Sequence, residues 1–377
     1  MPNDLRVDTV TGRTAPGRSP AGRSIETGLR MCGRVFPLLV LLMLPMAGSA
    51  IPPLPVAVSN NAVAAVEEGE EFRLYSFFGL GQGKTWRDVS RRAFEYDSRR
   101  NRWQELPPPP VAGGRLASVA AAARGRIYLF GGYTVAEDGT EVSTPDVLRF
   151  DPRSRRYTAM APMPVPVDDT VALVYADRWV ILVSGWHQHD NVAAVQVYDT
   201  RRNVWSRAPD WPGTPVFGHA GALLGEDLLI CDGVRLDTGE GTRRFQASDE
   251  CWHGRIQEGD PTRIAWQRVA SHPGLPRYRM GSFADDEGRQ LVFVAGSENP
   301  YNFDGTGYDG VPSPASARVD AFDLGTGTWR SRPLLEQPSM DHRGMPCVRG
   351  RCYLLGGMDV NREVTDAIRE HARGGVE

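Results

Sequence analysis

Five aromatic residues punctuate the chain at intervals of 48 to 63 residues: Trp103, Tyr157, Trp205, Trp266 and Trp329. The stretch around Tyr157 shows what they close. It runs Arg-Gly-Arg-Ile-Tyr-Leu-Phe-Gly-Gly from Arg124, then a polar loop, then Asp-Val-Leu-Arg-Phe-Asp-Pro from Asp146, and ends at Pro164. Residues 127–130 are β-formers, and Gly131-Gly132 permits positive φ and close backbone approach. Val147, Leu148 and Phe150 make a second short strand, stopped by the turn signal Asp151-Pro152. Tyr157 is placed to wedge between neighbouring sheets. A unit this short cannot bury its own apolar face, so the period of its repetition decides the fold.

The unit recurs about six times, and each copy offers up to four short strands. The closing words are Arg-Ala-Phe-Glu-Tyr-Asp before Trp103, Ala-Val-Gln-Val-Tyr-Asp before Trp205, and Val-Asp-Ala-Phe-Asp before Trp329. Extra length in the later copies falls in two Gly- and Asp-rich insertions, 234–248 and 297–316. Four strands in roughly 50 residues is one blade of a β-propeller. The expectation is an all-β, six-bladed propeller with four antiparallel strands per blade. The sixth copy (344–348, 352–357, 363–368) shows no fourth strand. Residues 53–58 or the tail after Ile368 would have to close it, because an open sheet edge invites foreign pairing.

The amino terminus reads differently. Residues 1–30 are rich in Arg, Pro and Gly without periodicity, either a disordered extension or sequence ahead of the true start at Met31. Residues 35–47 are almost wholly apolar, preceded by Arg34 and followed by Gly48-Ser49-Ala50. That pattern predicts a signal peptide over 31–50, too short for a comfortable membrane span. The propeller would then occupy 51–377, in the periplasm or secreted, with no stable span after cleavage. Four of the five cysteines fall in this part. Cys347 and Cys352 flank a tight hairpin, and Cys231 and Cys251 fall on adjacent strands. An oxidising compartment makes pairing natural, and buried free thiols are the other reading. A formal charge of −3 gives no argument for nucleic acid. His187 and His189 share a strand face, but no third ligand accompanies them, so no metal or other cofactor is expected.

The Gly-Gly, Tyr/Phe-Asp and Trp landmarks resemble kelch repeats. Within that group the chain is similar to exported bacterial sialic-acid mutarotases (N-acetylneuraminate epimerases). The similar features are Pro-Leu-Pro-Val…Asn-Ala-Val before the first blade, Gly79-Leu80-Gly81…Thr85-Trp86, and Val364-Thr365-Asp366 in the last. The resemblance implies a small acidic sugar, bound or isomerised on the face that carries the loops into the first strands and between the second and third. Galactose oxidase-like chemistry is also built on kelch blades, but the His set here is too thin for its copper.

Arg115, Arg279 and Arg343 are the expected carboxylate anchors on that face, with Asp169 beside them and Trp186 or Tyr301 against the sugar. Arg–Asp pairs such as Arg115 with Asp169 would equally serve as blade-to-blade ties. Substitution of Arg279 is expected to weaken ligand binding and leave the fold intact. Mutarotation needs an acid and a base at the anomeric centre. The resemblance places an acid directly after the Gly that ends the second strand of the fourth copy, where this chain has Val234. His219, Glu240, Arg243 and Glu298 remain as catalytic candidates. Asp168 and Asp169 are adjacent, so they do not suit a glycosidase pair facing one bond. A non-catalytic module that grips an envelope protein or glycan is the alternative function.

Overall fold

The computed structural model describes residues 50–239 and 244–374. The expectations for 1–30 and for a signal peptide over 31–50 therefore lie outside the described residues, Ala50 aside, as do Glu240 and Arg243. Among the described residues no helix is long and apolar enough to cross a membrane.

Five antiparallel four-stranded sheets and one three-stranded sheet follow one another along the chain as the blades of a six-bladed propeller. Blade 3 is representative, with strands Val171–Tyr175, Trp179–Val183, Val195–Asp199 and Val204–Ala208 paired in sequence order. The core lies between blades rather than within them. Val171, Ile181 and Val197 of blade 3 pack against Leu228 and Ile230 of blade 4, as alternate residues of each strand turn to opposite sheet faces.

The closing aromatics do what their spacing implies. Each pairs directly with the last large residue of its third strand: Trp103 with Tyr96, Tyr157 with Phe150, Trp205 with Tyr198, Trp329 with Phe322. Each also donates to a carbonyl in the linker from the preceding blade: Trp103 to Pro52 (2.8 Å), Tyr157 to Pro107 (2.9 Å), Trp205 to Ala161 (2.9 Å) and Trp329 to Ala270 (2.6 Å). In blade 4 Gly254 stands opposite Trp266, and Trp266 Nε1 has no hydrogen-bond partner among the described residues. The aspartate that ends the third strand builds the following turn. Asp97, Asp151, Asp199 and Asp323 accept from the backbone of Arg100, Arg153, Arg201 and Gly325. Trp205 is half-buried against Phe130 and Tyr198. Trp205→Ala should therefore cost about 2–3 kcal/mol in denaturant unfolding, below the cost of a fully buried Trp; an unchanged midpoint would remove the wedge role.

Blade 6 departs from expectation. Its strands are Cys347–Val348, Arg351–Leu355 and Ile368–Ala372, so the third lies beyond the 363–368 read from the sequence. Residues 358–365 instead form a loop, with Met358 bridged to Val364 and Thr365 N bonded to Gly357 O. Residues 53–58 do not supply a strand either. They run between blades 6 and 1, where Leu54 N and Val58 N bond to the carbonyls of Asp366 (2.8 Å) and Thr365 (3.1 Å). Cys231–Cys251 and Cys347–Cys352 are disulfide-bonded across directly paired strand positions.

Candidate functional site

Ahead of each first strand, by two residues in blades 1 to 5 and by six in blade 6, one residue adopts a left-handed backbone: Asn60, Ala117, Asp169, Gly218, Arg279 and Asp341, with φ between 49° and 71°. A chain of bonds passes around them. Asp169 N donates to Ala117 O (3.1 Å), Gly218 N to Asp169 O (2.8 Å), Arg279 N to Gly218 O (2.8 Å), His342 N to Arg279 O (3.1 Å) and Asn60 N to Asp341 O (3.2 Å). Ala117 N closes the circle on Asn60 Oδ1. This girdle encircles the central channel. Gly218 is obligatory in it, since a Cβ there would collide with the Tyr278 ring.

Two arginines and two aspartates of the girdle region form a closed ion ring. Arg279 Nη2 lies 2.6 Å from Asp169 Oδ2, and its Nη1 3.0 Å from Asp341 Oδ1. Arg343 Nε lies 3.0 Å from Asp169 Oδ1, and its Nη2 3.2 Å from Asp341 Oδ1. The four side chains are at most 3% exposed. Tyr278 and Tyr301 donate to the aspartates and stack under the Arg279 guanidinium, 4.5 and 5.3 Å from their ring centres. Burial alone would raise the Asp169 carboxyl; Arg279 and Arg343 outweigh it and hold it below the usual range. Asp168 behaves oppositely. Burial pushes its carboxyl well above the usual range, although the Ser143 hydroxyl donates to it at 2.6 Å.

Below the ring, the channel encloses about 230 Å³ lined by Thr170, His219, Ser282 and His342 among others. His219 Nε2 sits 2.9 Å from Val183 O and His342 Nε2 2.9 Å from Ser339 Oγ. Burial lowers their pKa values to about 4 and about 3. On the loop-rich side of the ring, a second cavity of about 410 Å³ opens. Small ribbons from blades 2, 3 and 4 frame it: Tyr133–Val135 with Glu141–Ser143, Trp186–His187 with Asp190–Asn191, and Val234–Asp237 with Arg244–Ala247. Its walls include Tyr133, Trp186, Phe217, Phe245 and Tyr308, with Glu141, Asp168 and Asn302 as polar groups and Asp169 and Arg279 at the floor. Phe245 stacks on Tyr308 at 4.2 Å.

Of the residues expected from sequence, Asp169, Arg279, Arg343 and Tyr301 meet in the ring, and Trp186 lines the cavity. Arg115 does not join them. It stands two residues before its blade's girdle position, Ala117, and turns back to Asp146 (2.8 Å) and the carbonyls of Ala112 and Gly114, so the Arg115–Asp169 pair does not form. Glu298 pairs with Arg318 at 3.2 Å, away from both cavities. His219 faces the channel, not the loop side. Val234 is fully buried in the apolar layer beneath the loops. Asp232 before it is consumed by His272 Nε2 (2.6 Å) and Arg277 N (2.7 Å). Asp341, Phe245 and Tyr308 were not picked out from sequence. Asp341 stands six residues before its blade's first strand, where Asp169 and Arg279 stand two, so the strand offset did not mark it. No group of three or more His, Cys, Asp or Glu side chains among the described residues is arranged to hold a metal.

The kelch motif matches residues 114–164, which are blade 2 with its approach. The chain is 28% identical over 284 residues to Kelch-like protein 15 of Danio rerio, covering 71% of this chain and 42% of that protein. It is 29% identical over 200 residues to Kelch-like protein 25 of Xenopus tropicalis, covering 52% and 33%. The chain thus spans well under half the length of these relatives. The solved structure of YjhT superposes with a TM-score of 0.67 over 85% of this chain and 96% of that one, at 15% identity, a likeness of fold. The chain is a six-bladed β-propeller built from kelch repeats.

Proposed function

We propose that the chain is an exported binding propeller that takes a small carbohydrate in the cavity between the loop ribbons. One observation carries this reading: a cavity of sugar size that joins aromatic walls to carboxyl and amide groups. Rings offer a face to the C–H side of a sugar, and the polar groups meet its hydroxyls. An acidic sugar would bring its carboxylate toward Arg279, in competition with Asp169 and Asp341. An isomerising version would use Asp168 as the proton donor, since its raised pKa keeps a proton available. Calorimetric titration with sialic acid and with neutral hexoses tests the reading. Trp186→Ala should weaken the bound sugar by about tenfold or more. Proton NMR of anomer exchange tests the isomerase, whose rate should collapse in Asp168→Asn. Absence of heat with every sugar tried would end the carbohydrate reading.

The alternative, a non-catalytic module for an envelope protein or glycan, draws on Val142, Tyr308 and Val311, apolar side chains exposed on the same loops. Retention of an envelope protein that saturating sugar fails to displace would favour it.

A further inference from the structure

Of the chain's 43 lysine and arginine residues, one alone is a lysine, Lys84. It lies in the loop between the second and third strands of blade 1, with a left-handed backbone (φ 51°) and a half-buried side chain. Its ammonium donates to two backbone carbonyls of other blades. One is Asp304 O (3.2 Å), in the insertion 297–316 of blade 5, and the other is Arg362 O (3.0 Å), in the 358–365 loop of blade 6. An ammonium is a compact point donor with three diverging N–H bonds, whereas a guanidinium spreads its donors in a plane. Two carbonyls that converge from separate loops call for the first, in a chain that elsewhere uses the second.

The insertion depends on such ties. Between Asn299 and Pro314, the backbone-to-backbone hydrogen bonds among the described residues stay inside the segment, as in Asn302 N to Thr306 O (2.9 Å), Gly307 N to Val311 O (2.8 Å) and Tyr308 N to Pro300 O (3.1 Å). It is a compact loop that folds on itself, so side chains fix where it sits. Tyr301 is buried under Arg279 and donates to Asp341, Phe303 packs on the apolar layer beneath the loops, and Tyr308 stacks on Phe245. Lys84 holds the tip. Asp304, whose carbonyl it takes, belongs to a tight turn in which Gly305 N bonds to Asn302 O (3.0 Å) and Thr306 N to Asp304 Oδ1 (2.8 Å). Asn302 and Tyr308 are what the insertion contributes to the wall of the loop-side cavity, and Lys84 is not itself in that wall.

We propose that Lys84 is a positioning residue for this cavity: from blade 1, its ammonium fixes the turn 302–306 of blade 5 and so holds Asn302 and Tyr308 in place against a ligand. The proposal rests on the carbohydrate reading for the nature of that ligand, but the tie to the wall exists without one.

Hydrogen exchange on the unliganded full chain tests the tie. Lys84→Met should speed exchange of the Asn302, Gly305 and Thr306 amides by about tenfold or more, with those of Val195–Asp199 in blade 3 unchanged. Lys84→Cys alkylated with 2-bromoethylamine, which rebuilds an ammonium at nearly the same reach, should restore slow exchange; the same chain alkylated with iodoacetamide should not. Calorimetric titration with sialic acid and with glucose then tests the wall. Lys84→Met should weaken the sugar that the parent binds by about fivefold or more, and the aminoethylated chain should recover it. Unchanged exchange in Lys84→Met, or equal recovery with the two reagents, overturns the proposal. Faster exchange with undiminished sugar affinity overturns it as well, because the wall would then loosen without consequence for the ligand. Faster exchange in a chain whose parent binds neither sugar supports the tie and counts against the carbohydrate reading instead.

Discussion

Arg279→Met should destabilise the propeller by about 3–5 kcal/mol, read as a shift in denaturant midpoint at constant slope. The guanidinium ties Asp169 of blade 3 to Asp341 before blade 6, across the channel. Its loss leaves two buried aspartates sharing Arg343 alone, and an uncompensated buried charge is the costly outcome. Backbone strain does not enter the difference, since Met would adopt the same φ of 57° at the same penalty. This reverses the expectation from sequence that Arg279 can be removed with the fold intact. Coupling separates ring from ligand site. Asp169→Asn alone should also destabilise, and combined with Arg279→Met it should cost clearly less than the two single effects added, because the pair is removed together. A midpoint shift under about 1 kcal/mol for Arg279→Met would show that water reaches the ring and that its charges are solvated.

The fold was legible because its signals are local and repeated. Asp151, Asp199 and Asp323 build their turns through contacts two or three residues away, and Gly132, Gly185 and Gly233 supply the positive φ after each second strand. Such words read the same in every copy. The ring was only partly legible because its members come from three blades and no single residue type marks the position: the girdle residue is Asn, Ala, Asp, Gly, Arg and Asp in turn. What unites them is the bridge made by the residue before each, from Ser59–Leu80 to Met340–Met358, which is a contact between distant residues and not a local word. Arg115 and Arg343 illustrate the limit, for both are loop arginines near a first strand. Arg343 follows its girdle residue and points inward, whereas Arg115 precedes its own and bends outward to Asp146. The cavity walls were harder still. Phe245 and Tyr308 lie in the insertions 234–248 and 297–316, where no repeat constrains the path, and Phe245 reaches Trp186 only through the ribbon of blade 4. That the sixth copy offers no fourth strand was visible in the sequence, and among the described residues blade 6 has three.

Acidification should unfold the protein through the channel histidines before the ring aspartates protonate. His219 and His342 have folded pKa values of about 4 and about 3, below the ordinary 6.5 that the unfolded chain restores. Between those values the unfolded chain binds more protons, so stability falls as pH falls. Each histidine contributes a slope of about 1.4 kcal/mol per pH unit between roughly pH 6 and 4.5, amounting to about 3 kcal/mol for His219 and somewhat more for His342 by the end of its window. Asp168 acts in the opposite sense. Its raised pKa makes the native state hold a proton that the unfolded state releases, so it favours the folded form as pH drops toward 4. Asp169, with a lowered pKa, gives stability that is present above about pH 4 and lost below it, under the histidine window. The His219→Gln and His342→Gln double variant isolates the first effect, since the amide that replaces the His219 imidazole can still donate an N–H toward Val183 O. Its stability curve between pH 6 and 4.5 should be flatter than that of the parent by nearly 3 kcal/mol per pH unit. Parallel curves would mean that both histidines are already protonated in the folded state, and that the channel is wet enough to carry the charge.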